Sequence, residues 1–487
     1  MRTTYDQLFI GGAWVDPASS RVIEVVSPHT EEVVGRAPEA STADVDRAVA
    51  AARLAFAQGE WPRTAPAERL ALVNRFAELY AERMMEMAEL ITTEMGSTIS
   101  FSRLAQGPAP WAVLTSLAQI GAGIEWEEVR PGLLGGDVIV RREPVGVVAA
   151  IVPWNAPQST IMTKLAPALI SGCTIIIKPA PETPLDALLL AELIEQAGFP
   201  EGVVSVLPAG REVGEHLVSH PGVDKVAFTG STAAGRRIAG ICADQLKRVS
   251  LELGGKSAAV LLDDCDLAST VETLKFASLA NNGQVCVAQT RILASRARYA
   301  EVVDAVATMV SGLTVGDPHD ESTEVGPLVA RRQQERVEKY IALGQEEGAR
   351  LVAGGNGMPP GLDRGWYVQP TVFADVDNGM RIAQEEIFGP VLAVIPYDDE
   401  ADAVRIANES TYGLAGSVFT TDVERGLDIA RQVRTGTYAV NQYTLDFAAP
   451  FGGYKQSGIG REYGKEGFDH YVEYKSIVPP GAGFDVS

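Results

Sequence analysis

The chain has 487 residues, 46 % hydrophobic and 21 % charged, with 48 glycines and 28 prolines spread along it. At about 150 residues per domain this is material for roughly three domain-sized masses, and the composition excludes collagen-like, mucin-like and disordered chains. Forty-one Lys and Arg against 63 Asp and Glu give a net charge of −22 with no basic block to offset it, which excludes nucleic acid as a general partner. The start, MRTTYDQLF, lacks a cationic segment followed by an apolar run, and the apolar stretch Val145 to Trp154 is too short and Pro-punctuated for a span of about 20 residues. The expectation is a cytoplasmic protein with no membrane partner. Four cysteines, Cys173, Cys242, Cys265 and Cys286, form no CxxC pair and read as reduced thiols. His216 and His220, at i, i+4, could meet on one helix face, but Pro221 ends that helix and no ligand spacing supports a metal there. No metal site is expected.

The first 120 residues predict a GGAW turn, a strand pair near Val22 to Val34, and helices from about Thr42 to Ala57, Pro66 to Glu82 and Met85 to Met95. Residues 128–142 are a short β-like segment. From 145 to 263, β-branched runs alternate with helical patterns (VGVVAAIV, PQSTIMTKLAPALI, CTIIIKP, PLDALLLAELIEQ, VVSVLP, EVGEHLVSH, KVAFTG). Such alternation, with strands apolar at nearly every position, predicts a doubly wound parallel sheet covered on both faces. A second alternating region, about 257 to 450, is enough for another α/β domain, and the tail from about 470, HYVEYKSIVPP, is β-like again. The outer β segments could extend a sheet or pair with another subunit.

Five places along this pattern carry chemistry. Asn155, in IVPWNAP, follows a buried strand in a loop stiffened by Pro153 and Pro157; its amide is either one arm of an oxyanion hole or an N-cap for the helix beginning at Pro157. Lys178 closes the strand of TIIIKP at the edge where doubly wound sheets bind ligands. It is either solvated or holds an adenosine ribose or its phosphate. Gly230 to Gly235, after the strand at Lys225 to Phe228, opens a helix whose free N–H groups suit a phosphate, although the GxxxxG spacing departs from GxGxxG and a plain tight turn is the alternative. Glu252, at a strand end before Gly254 and Gly255, is a carboxylate in apolar surroundings whose pKa should rise toward that of a general base. Cys286 lies on a polar, Gly-containing loop and reads as a nucleophile whose thiolate needs electropositive neighbours.

Together these segments resemble the aldehyde dehydrogenase superfamily, in order and over nearly the whole chain: PWN at 153–155, KP at 178–179, FTGS at 228–231, ELGGK at 252–256, GQVC at 283–286, EEIFGP at 385–390 and PFGGYKQSG at 450–458. The resemblance implies two doubly wound α/β domains, a Rossmann-like dinucleotide domain (1–122 and 145–254) and a catalytic domain (255–455), with a small β oligomerisation element (123–144 and 470–487). It also implies oxidation of an aldehyde to the acid with NAD, NADP being the alternative, by a homodimer or homotetramer. Cys286 is then the nucleophile, Asn155 with the Cys286 N–H the oxyanion donors, Glu252 the base that hydrolyses the thioester, and Lys164 a further catalytic residue. Ile151, Trp154, Lys178, Gly230, Ser231, Gly235, Leu253, Glu386 and Phe388 are implied as cofactor-binding residues, Glu386 at the nicotinamide ribose.

One departure bears on cofactor choice: three positions after Lys178, where NAD-preferring members of the family often carry a carboxylate, stands Pro181, followed by Glu182. That removes a charge that would repel a 2′-phosphate. The stretches APQSTIMTK and TLDFAAPF, with Phe447 and Phe451 and no Arg between 156 and 163, favour a neutral, partly apolar aldehyde. The competing readings are a CoA-acylating dehydrogenase, disfavoured by Glu252, and a cysteine hydrolase without redox chemistry, disfavoured by the lack of a histidine near any of these elements.

Overall fold

A computed structural model describes residues 2–133 and 135–480. Among these described residues the chain builds an eight-stranded sheet, a seven-stranded sheet, a three-stranded sheet and a two-stranded ribbon. The eight-stranded sheet is parallel through Arg248–Glu252, Lys225–Thr229, Val147–Ile151, Thr174–Lys178 and Val204–Val206. Antiparallel strands close its edges, Gly458–Ile459 on one side and Leu8–Ile10 with Ala13–Val15 on the other.

Side chains alternate across these strands and so feed two cores. Val148, Ala150, Ile175 and Ile177 pack under the helices Pro66–Met95, Pro157–Ser171 and Leu185–Ala197. Val147, Ala149, Ile151 and Ile176 pack under Thr42–Ala57, Arg211–Ser219 and Thr232–Asp244. The seven-stranded sheet, parallel from Thr371–Ala374 through Val391–Tyr397, Arg291–Ser295, Ala258–Leu261 and Gly416–Phe419 to Ala439–Val440, alternates in the same way. Its Ala258 and Val260 face one core, Ala259 and Leu261 the other.

One expected boundary is corrected. The helices expected from Pro66 to Glu82 and Met85 to Met95 are a single 30-residue helix, Pro66–Met95. No Gly or Pro interrupts it at 83–84, and Arg83 pairs with Glu86 one turn on (2.7 Å). It stops at Gly96, whose φ of 81° is the left-handed cap glycine adopts without strain.

The three-stranded antiparallel sheet joins Glu127–Pro131, Asp137–Pro144 and Val472–Ile477. It falls within the expected oligomerisation element; residues 134 and 481–487 of that element lie outside the described residues. No helix among the described residues is long and apolar enough to cross a membrane. His216 and His220 do stand together, ring centroids 5.9 Å apart, with Asp46 facing both. Among the described residues no group of three or more His, Cys, Asp or Glu could hold a metal ion.

Candidate active site

The strand register lines up the carboxyl edge of the first sheet. Lys178 lies beside Ile151, Ile151 beside Phe228, and Thr229 beside Glu252. Three of the expected residues, Ile151, Lys178 and Glu252, therefore reach one edge from strands spread over about a hundred residues of sequence. Lys178 is not solvated: it is 6 % exposed and its ammonium donates to the carbonyls of Pro179 (2.9 Å) and Ala209 (2.7 Å). Burial lowers its pKa to about 8, against the opposing effect of Glu182. Arg332 pairs with Glu182 from the other half of the molecule.

The turn after Thr229 is built for close approach. Ser231 caps the helix Thr232–Asp244, accepting from the Ala234 N–H (3.3 Å). Gly230 lies against the Phe228 ring and Gly235 against Leu253, where added Cβ atoms would sit 2.6 and 2.5 Å from those side chains. Thr229, Gly230 and Ser231 remain open at the surface, leaving a helix N-terminus of the kind that takes a phosphate.

Asn155 does not cap the helix Pro157–Ser171; Ala156 stands there without a side-chain bond. Its Nδ2 instead donates to the Gln284 carbonyl (2.9 Å), two residues before Cys286, which leaves one amide hydrogen for another acceptor. The mostly buried Cys286 thiol is pushed up to about 12 by burial and then by Glu386 and Glu252, while the N–H groups of Cys286 and Val287 pull it down. The electropositive neighbours of this thiol are backbone N–H groups, and the two charged side chains that act on it, Glu386 and Glu252, are acids.

Glu252 is 4 % exposed, and neither carboxylate oxygen has a hydrogen-bond partner among the described residues. Burial pushes its pKa well above the usual carboxylate range, with Glu462 raising it further and Lys164 and Arg461 lowering it. Lys164 is fully buried and donates to Glu462 Oε1 (2.6 Å) and Thr229 Oγ1 (2.7 Å). Sequence reasoning passed over Glu462; the REYG segment after the PFGGYKQSG motif was the place to find it.

Glu386 accepts from the Gly255 N–H (3.0 Å), and burial lifts its pKa to about 7. Gly254 makes room for it, since a Cβ there would lie 2.5 Å from Glu386 Oε2. Phe388, at φ 68°, meets Trp154 edge to face with ring centroids 5.5 Å apart. The helix Arg331–Glu346 holds this segment: Gln333 donates to the Phe388 carbonyl (2.7 Å) and Arg336 to those of Glu386 and Ile387. An open helix N-terminus, an edge lysine and a carboxylate across the cleft fit a dinucleotide with phosphates and ribose hydroxyls.

The sequence matches the model of the aldehyde dehydrogenase family over residues 14–477. It is 47 % identical over 477 residues to the geranial dehydrogenase of Castellaniella defragrans, covering 98 % of this chain and 99 % of that one. Among solved structures, an aldehyde dehydrogenase of Mycobacterium tuberculosis complexed with NAD+ aligns with a TM-score of 0.97 and 53 % identity, over 100 % of both chains. A mutant of aldehyde dehydrogenase C from Pseudomonas syringae, complexed with NAD+ and octanal, aligns with a TM-score of 0.94 and 43 % identity, over 99 % of this chain and 97 % of that one. A partly buried cysteine, a buried carboxylate and an amide donor thus stand on a backbone shared end to end with these enzymes, and the chain belongs to the aldehyde dehydrogenase family.

Proposed function

We propose that the chain oxidises a neutral, partly apolar aldehyde to its carboxylic acid, with NAD+ as acceptor, through a thioester on Cys286. Lys178, Ile151, Gly230, Ser231, Gly235 and Leu253 would hold the adenosine half of NAD+; Trp154, Glu386 and Phe388 would hold the nicotinamide half. When bound, NAD+ supplies the hydride acceptor. The chain's own residues do the rest. Cys286 Sγ gives up its proton to solvent and bonds to the carbonyl carbon, and the free amide hydrogen of Asn155 and the Cys286 N–H receive the developing oxyanion. Oxidation leaves the acyl group on Cys286 as a thioester. Glu252, raised in pKa and bonded by no side chain, takes a proton from water as that water attacks, and the acid leaves with the thiol restored. Lys164, between Glu252 and Glu462 electrostatically, keeps that basicity in check.

The observation that carries this reading is the bond from Asn155 to the Gln284 carbonyl, which sets an amide donor beside the Cys286 loop. The aromatic group of Phe447, Phe451 and Tyr463, with centroids 5.2 and 5.5 Å apart, supports an apolar acyl group, as do the names of the geranial and octanal relatives. Residues 1–122 and 145–254 would form the cofactor domain and 255–455 the catalytic domain. The segments 123–144 and 470–487 would join subunits into a homodimer or homotetramer through the exposed strand Val472–Ile477. A cytoplasmic location goes with this reading.

The test is absorbance at 340 nm with aliphatic, aromatic and terpenoid aldehydes, each with NAD+ and with NADP+. Pro181 leaves NADP+ open as a second acceptor, and the ratio of the two rates measures that. Glu252→Gln is expected to give one burst of NADH and then stall; sustained turnover at the wild-type rate rules Glu252 out as the deacylation base.

A further inference from the structure

The Asn155 side chain is held through its bond to Gln284, but its main chain is held more firmly still. Two side-chain amides converge on the Asn155 carbonyl: Gln106 Nε2 at 2.9 Å and Asn281 Nδ2 at 2.8 Å. All four residues of this cluster, Gln106, Asn155, Asn281 and Gln284, are buried, at 3, 7, 4 and 0 % exposure. Gln284 in turn accepts from the Val329 N–H (3.1 Å) through its own side chain. A carbonyl that accepts two bonds from opposite elements cannot swing about its peptide axis without breaking one of them.

Both donors are aimed by unusual backbone. Gln106 ends a π-helical turn, Ser102–Gln106, closed by a five-residue bond from the Gly107 N–H to the Ser102 carbonyl (2.9 Å). The wider turn rotates Gln106 inward, and such turns recur at functional sites. It is seated on the long helix Pro66–Met95 by the bond from Thr92 to Ser102 (2.8 Å), and Gly107 lets it approach, since a Cβ there would lie 2.6 Å from the Met84 carbonyl. Asn281 is left-handed, φ 55°, as are Asn282 and Gly283 after it. Asparagine and glycine tolerate that conformation where other residues resist it.

We propose that Gln106 and Asn281 are positioning residues for the oxyanion donor: by fixing the Asn155 peptide they keep its free amide hydrogen turned toward the carbon that Cys286 attacks. Neither touches the reacting atoms; both act through Asn155. The proposal rests on the function proposed above only in the identity of the acyl donor, because an ester that acylates Cys286 uses the same oxyanion site.

The test is a double-mutant cycle read with p-nitrophenyl acetate in the absence of dinucleotide, and in parallel with hexanal and NAD+. Gln106→Met replaces the donor by an apolar chain of similar size, and Asn281→Gly removes the other donor while keeping the left-handed backbone. Loss of one oxyanion donor lowers kcat by roughly 10²–10³, so each variant is expected to slow acylation by about tenfold, a part of that effect. In an Asn155→Ala background the same changes are expected to leave the residual rate within about twofold, because the group they position is gone. A tenfold loss that persists in Asn155→Ala would mean a general structural role and overturn the proposal, as would full wild-type rates in both single variants. No turnover of any aldehyde with an intact ester cycle would overturn the assigned reaction and leave the positioning role standing.

Discussion

Burial and the two carboxylates of Glu386 and Glu252 keep the Cys286 thiol protonated to about pH 12, so in the free protein the thiolate is a small fraction that grows about tenfold per pH unit throughout the neutral and moderately alkaline range. Inactivation by iodoacetamide should keep accelerating up to at least pH 10, and Glu386→Gln, which removes the larger of the two anionic influences, should speed it above about pH 7, where the Glu386 carboxyl is ionised. A plateau below pH 9 would contradict the acidic surroundings. A second buried pair governs stability. Glu94 accepts from the N–H groups of Leu185 and Asp186 (3.0 Å each), and Asp186 accepts from Gln158 (2.6 Å). Burial pushes both carboxyls up, Asp186 to about 7 from an ordinary value near 3.8. A raised acid in the folded state holds its proton longer than in the unfolded chain, so its contribution is full below about pH 4 and is lost as pH climbs through 7. The Tm should fall between pH 5 and 8, and Asp186→Asn should flatten that fall.

At the scale of elements, the turn at Asn281, Asn282 and Gly283 shapes the approach to Cys286. Asn282 donates to the carbonyls of Gly96 and Pro327 (2.9 Å each) and accepts from the Gly326 N–H (2.7 Å), all from a left-handed residue. Asn282→Ala removes three buried bonds and strains the backbone, so about 2–4 kcal/mol of destabilisation is expected in urea unfolding. Asn282→Gly, which relieves the strain, should lose less. What the sequence disclosed at this scale was local. TIIIK and KVAFT are buried strands whose ends fall where the β-branched runs stop, and the Ser41 capping box marks the start of Thr42–Ala57. Asn155, Glu252 and Cys286 stood out because each follows a strand or sits in a polar turn. Lys164 with Glu462, Gln106 with Asn155 and Glu94 with Asp186 did not, since contacts between distant segments leave no periodic trace. The acidic surroundings of Cys286 were hidden for the same reason.

At the scale of the whole molecule, the three-stranded sheet presents an exposed rim. In the three-stranded sheet Val472–Ile477 lies at an edge, and Tyr474, Ile477, Val478 and Val129 are exposed. An apolar edge strand pairs with another chain unless it is covered. Truncation before Val472 should reduce the mass measured by light scattering to that of a single chain; an unchanged oligomer would place the subunit contact elsewhere. The order of the strands also bears on how the protein comes into being. The first sheet is closed beside Glu252 by Gly458–Ile459, and Lys164 meets Glu462 across 298 residues. A ribosome delivers the parallel strands of the first sheet, the Cys286 loop and all seven strands of the second sheet before the segment that completes the surroundings of Glu252 emerges. A nascent chain stopped short of that segment carries Cys286 without the partner of Lys164, so under the proposed mechanism the capacity to release product would be among the last properties the polypeptide acquires during its synthesis.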